Sequence, residues 1–144
     1  MFSTLPSRIS LLALSLLLFS ASLSADDVDP SWLASWNEAI EKRPTELASH
    51  VVMVSSDEAG TRLTIKGLVV DPYGKPAEGI IVHAYHRDSK GFDFGYLDKE
   101  LTTWRIQGWV ITDQLGRFTF EIRAAPDHLG REGGHVHFTT ISEE

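Results

Sequence analysis

"GWVITDQLGRFTFEIR" (residues 108–123) decides the fold class of this chain. In its second half Phe118, Phe120 and Ile122 alternate with Thr119, Glu121 and Arg123. A period of two belongs to a strand with one buried and one wet face, because successive side chains leave a strand on opposite sides. "GWVITD" (108–113) and "RFTFEIR" (117–123) flank "DQLG", whose Asp and Gly favour a turn, so the stretch predicts a β-hairpin.

Outward from it the same signals recur. "HVVMVSS" (50–56), "RLTIKGLVVD" (62–71), "IIVHAYHR" (80–87) and "HVHFTTIS" (135–142) are further strands, with the turn "DPYGKPAEG" (71–79) between two of them. Six short strands with no helical periodicity between them predict a mainly β chain folded as an antiparallel β-sandwich. One short helix precedes them. In "DVDPSWLASWNEAIEKRP" (27–44) Asp29 is a plausible N-cap, Pro30 fits the first helical position and Pro44 ends the segment. Trp32, Trp36 and Ile40, with Leu33 beside them, form an apolar stripe that covers the sheet or meets a partner subunit, which leaves a homodimer open. The interval 88–107 is long for a compact domain and carries Phe92, Phe94, Tyr96 and Trp104, so it is read as a wall facing a substrate.

Composition limits the function classes. Arg8 is the one charge among the first 25 residues, and "ISLLALSLLLF" (9–19) is continuously apolar before the small residues "SASLSA" (20–25). That is a signal peptide, cleaved near Ser24 or Ala25, rather than a membrane span, which needs about 20 apolar residues. The expected organisation is a signal peptide at 1–25, a helical segment at 26–49 and a β-sandwich at 50–144, with the mature protein secreted or periplasmic and free of the membrane. No cysteine is present, and a core of this size manages without disulfides. Without Arg8 the chain keeps 12 basic and 20 acidic side chains, a balance that disfavours nucleic acid.

The chemistry-bearing residues gather near the end of the chain. His135 and His137 lie two apart on the last strand, so both imidazoles leave the same face while Val136 and Phe138 turn to the core. Histidine is the commonest metal ligand and also a routine surface residue. A metal needs three or four protein ligands, and Asp93, Tyr96, Asp98, Asp127, His128 and Glu132 are the candidates to complete the pair. His83 and His86, three apart on a strand, face opposite sides, so only one of them can join a common site; His86 lies nearer the long loop.

"GLVVDPYGKPAEGIIVHAYHRDSKG" (67–91), "IQGWVITDQLGRFTFEIRAAP" (106–126) and then "HVHF" (135–138) resemble the intradiol ring-cleavage dioxygenases, the catechol and protocatechuate dioxygenases and their small relatives. The first two blocks are shared in outline with other transthyretin-like sandwiches, and the H-x-H makes the match specific. The resemblance implies a non-haem ferric iron held by two tyrosinates and two histidines, the histidines being His135 and His137. It also implies a small aromatic substrate, a catecholate that dioxygen attacks between its hydroxyls. Asp93 stands where that pattern has its first tyrosine, with Tyr96 three residues on; Asp127, followed by His128, stands where it has the second. The substrate-assisting arginine position holds Glu132, with Arg131 one residue off, and Trp104 is the aromatic candidate for substrate contact. The sequence ends at Glu144, where relatives usually continue through another strand. Three readings stay open: a tyrosinate-bound ferric site using Tyr96, a two-histidine site completed by Asp93, Asp127 or His128 and suited to a divalent metal, and a β-sandwich that binds without catalysis.

Overall fold

The computed structural model describes residues 28–92, 101–124 and 134–142. The expected signal peptide and Asp93, Tyr96, Asp127, His128 and Arg131 lie outside the described residues. Six strands form where the sequence predicts them: β1 (His50–Val52), β2 (Thr61–Leu68), β3 (Ile81–His86), β4 (Ile106–Ile111), β5 (Arg117–Ala124) and β6 (His137–Ile141), after the helix α1 (Pro30–Glu41). They make two three-stranded sheets, ordered β1-β5-β2 and β4-β3-β6. All pairs are antiparallel except β1 and β5, which run parallel with His50 opposite Thr119.

The expected hairpin is corrected. β4 pairs with β3 in one sheet and β5 with β1 and β2 in the other, so "DQLG" carries the chain between layers instead of folding it back within one. The reason is burial. Val110 of β4 and Phe120 of β5 belong to the same core between the sheets, together with Val82, Ala84 and Ile122. Placing the two strands face to face buries both side chains against each other. The turn itself is local chemistry: Asp113 Oδ1 accepts the backbone N–H of Leu115 (2.9 Å) and of Arg117 (2.8 Å), and Gly116 takes φ +70°. The same Asp-x-x-Gly device recurs at Asp71 with Gly74 and at Asp88 with Gly91, each aspartate accepting two backbone N–H groups.

β3 is buried on both faces along its whole length. One face, with Val82 and Ala84, meets the other sheet; the opposite face, with Ile81, His83 and Tyr85, is covered by α1. The helix is set by Asp29, whose Oδ1 accepts the N–H of Ser31 at 2.8 Å, with Pro30 in its first turn. Its buried stripe differs from the expected one: Trp32, Ser35, Trp36 and Ala39 meet the sheet, whereas Leu33 and Ile40 are exposed. The two indoles stack 5.7 Å apart and fill the space between helix and sheet, with Ser35 and Ala39 buried beside them.

Candidate metal centre

β6 is held against β3 so that His137 stands opposite Tyr85. Cross-strand partners share a face, and the two rings stack 4.5 Å apart, 8° from parallel. Tyr85 also stacks on Trp104 at 4.0 Å, and its hydroxyl accepts a hydrogen bond from Trp32 Nε1 at 3.1 Å. His137 thus rests on a column of rings that reaches down to α1. His135 lies edge-on to His137, ring centroids 4.8 Å apart, and both imidazoles are solvent-exposed. The residue between them, Val136, packs into the core between the sheets, and Phe138 reaches Phe120 at 5.9 Å. The reading from sequence is corrected in two respects: the strand begins at His137, so His135 lies just before it, and Phe138 is 44% exposed, leaving Val136 as the side chain of the two that packs on the core between the sheets.

The stack lies on the face of the His137 ring and fixes its plane, which suits a metal ligand oriented by packing. Two neighbouring imidazoles offer nitrogen donors of the kind that metal sites use. Among the described residues no group of three or more His, Cys, Asp or Glu side chains could hold a metal ion. Trp104 is 3% exposed and lies beneath Tyr85, one ring removed from His137.

The other two histidines point apart, as their spacing requires. His83 faces α1, fully buried, with its ring 4.3 Å from that of Trp109 and 5.3 Å from that of Trp36. Its Nε2 is 2.9 Å from Gln107 Oε1, an acceptor, so Nε2 carries the proton. Burial pushes its pKa down to about 4, keeping the ring neutral. His86 faces the space between the sheets; its Nδ1 donates to the Arg87 carbonyl at 2.7 Å, and burial lowers its pKa as well. Neither His83 Nδ1 nor His86 Nε2 has a hydrogen-bond partner. Nearby, Arg105 makes a bidentate pair with Glu58 (2.7 and 2.8 Å), which holds the Glu58 carboxyl below its ordinary range. Tyr85 is the site residue that sequence reasoning missed. Its only signal was its place two residues from His83 on the same face, and the cross-strand register that sets it under His137 cannot be read from one strand.

The chain matches the dioxygenase family model over residues 39–142 and belongs to the intradiol ring-cleavage dioxygenase family. It is 29% identical over 109 residues to catechol 1,2-dioxygenase 1 of Acinetobacter lwoffii, covering 62% of this chain and 35% of that protein. An intradiol ring-cleavage dioxygenase from Tetranychus urticae superposes with a TM-score of 0.53 at 26% identity, over 67% of this chain and 52% of that one. Catechol 1,2-dioxygenase from Pseudomonas arvilla C-1 shares the fold, with a TM-score of 0.53 at 24% identity, over 69% of this chain and 38% of its own. The chain thus spans between about a third and a half of the length of these relatives.

Proposed function

We propose that this protein binds non-haem iron through His135 and His137 and cleaves a catechol-type aromatic ring, using dioxygen as the co-substrate. The observation that carries this reading is the pair of adjacent imidazoles, His137 at the start of β6 and His135 two residues before it, with ring centroids 4.8 Å apart, in a chain of the intradiol family. Ferric iron, held there by His135 and His137, would supply the activation of a catechol toward dioxygen. The chain's own contribution is positional. Tyr85 and Trp104 fix the plane of the His137 ring, Val136 anchors the strand between the two histidines, and α1 ties the column through Trp32. Tyr96 is the candidate tyrosinate; Asp93, Asp127 and His128 are the candidate replacements for the family's tyrosines. Arg131 is the candidate contact to substrate, while Trp104, buried beneath Tyr85, supports the ring column in place of the substrate contact expected of it. Export through cleavage of residues 1–25 belongs to the same proposal, resting on the apolar run at 9–19 behind Arg8.

Metal analysis of the purified protein, with a visible spectrum of the same sample, tests the reading. The expected result is stoichiometric iron that His135→Ala and His137→Ala remove. A tyrosinate-to-ferric charge-transfer band would assign Tyr96 or another tyrosine to the metal. Iron without that band would assign carboxylates in its place and move the site toward divalent-metal chemistry. No metal after reconstitution with iron, copper and zinc would overturn the proposal in favour of a binding module.

A further inference from the structure

The outer face of the β1-β5-β2 sheet carries a groove of about 550 Å³ lined by Ser49, His50, Lys66, Leu68, Arg117 and Thr119, among others. Its residues come from the face turned away from the core: Thr119 stands opposite both His50 and Lys66, and Arg117 stands opposite Leu68. Lys66 and Arg117 are therefore diagonal neighbours across two strands, with backbones about 7–8 Å apart. Neither makes an ion pair among the described residues. The nearby carboxylates are engaged elsewhere. Asp113, which also lines the groove, spends one oxygen on the N–H groups of Leu115 and Arg117, and Glu121 bonds His50 at 3.0 Å. The groove thus sets two cationic side chains side by side against the one carboxylate of Asp113, in a chain of net charge −7.

We propose that this groove binds a small dicarboxylate, one carboxylate on the Lys66 ammonium and the other on the Arg117 guanidinium, with the hydroxyls of Ser49 and Thr119 as further donors. The guanidinium fork takes a carboxylate bidentately and the ammonium takes the second as a point charge. Leu68, 56% exposed, gives the ligand's hydrocarbon middle an apolar wall. The groove alone sets this ligand class, which holds whether or not His135 and His137 carry iron. Opening a ring between two hydroxyls leaves a dicarboxylate, so the ligand class coincides with that of the product of the proposed reaction.

Titration calorimetry with succinate, cis,cis-muconate, acetate and succinamide on the full protein tests the site. Saturable binding of at least one dicarboxylate, weakened about tenfold or more by Lys66→Gln and by Arg117→Gln, is the expected result, with acetate weaker and succinamide silent. Backbone NMR shifts centred on Ser49, Lys66 and Thr119 place the ligand, and the variants' unchanged spectra elsewhere certify their folding. Acetate bound as tightly as both dicarboxylates would reduce the groove to unspecific charge attraction and overturn the proposal. So would dicarboxylate binding that neither substitution weakens, or no binding at millimolar ligand. Adding or stripping iron leaves the expected affinity unchanged, which separates failure here from failure of the proposed reaction.

Discussion

At the scale of single residues, His83 makes the sharpest statement. Its neutral ring is boxed by Trp36, Trp104, Trp109 and Tyr85, and charging it there means desolvating a cation. The folded pKa of about 4 lies below the ordinary 6.5, so the unfolded chain binds this proton first as the pH falls. The stabilisation is full above pH 6.5 and is lost progressively between pH 6.5 and 4. Urea midpoints measured across that window should fall with pH in the native protein and fall less steeply in His83→Leu, where His86 still contributes in the same direction. Loss of carboxylates such as Glu58, whose pKa is lowered from 4.5, sets in at the acid end of the window, so the contrast between the two proteins is read above about pH 5. His135 and His137 were legible in sequence because their signal is local, two residues apart at the start of one strand. The column beneath them was not, because Tyr85 and Trp104 reach it from strands and loops far away in the chain.

At the scale of elements, the alternation of Phe118, Phe120 and Ile122 was enough to find β5 and its buried face. It could not say which sheet β5 joins, since a turn of Asp and Gly serves a hairpin and a crossing between layers equally well. The helix was found with its caps, but its buried side shifted: Leu33 and Ile40 are as apolar as Trp32 and Trp36, and only the stacking of the indoles chose between the two stripes. The Asp-x-x-Gly turns give a direct test. Asp113→Ala removes the acceptor of two backbone N–H groups and should cost about 1–3 kcal/mol in chemical denaturation. Gly116→Ala forces a side chain into φ +70°, where its Cβ would run into the Val69 carbonyl, and should cost at least about 1–2 kcal/mol by the same measurement. In the core between the sheets, Phe120→Ala should cost about 3–5 kcal/mol, with the loss read as a lower denaturation midpoint.

At the scale of the whole molecule, α1, the β4-β3-β6 sheet and the β1-β5-β2 sheet form three layers, with the histidine pair exposed beside the middle one. Iron that binds the folded state alone should raise the melting temperature in a concentration-dependent way. Scanning calorimetry should show that rise abolished by a chelator and by His137→Ala, while Lys66→Gln keeps it. The three layers also rank the molecule's motions. β3 is hydrogen-bonded on both edges and buried on both faces, so its amides have no route to deuterium short of global unfolding. Among the described residues β6 pairs with that strand along one edge. His137 therefore rests on a ring rooted in the strand last to open, and its seat outlasts every local opening around it.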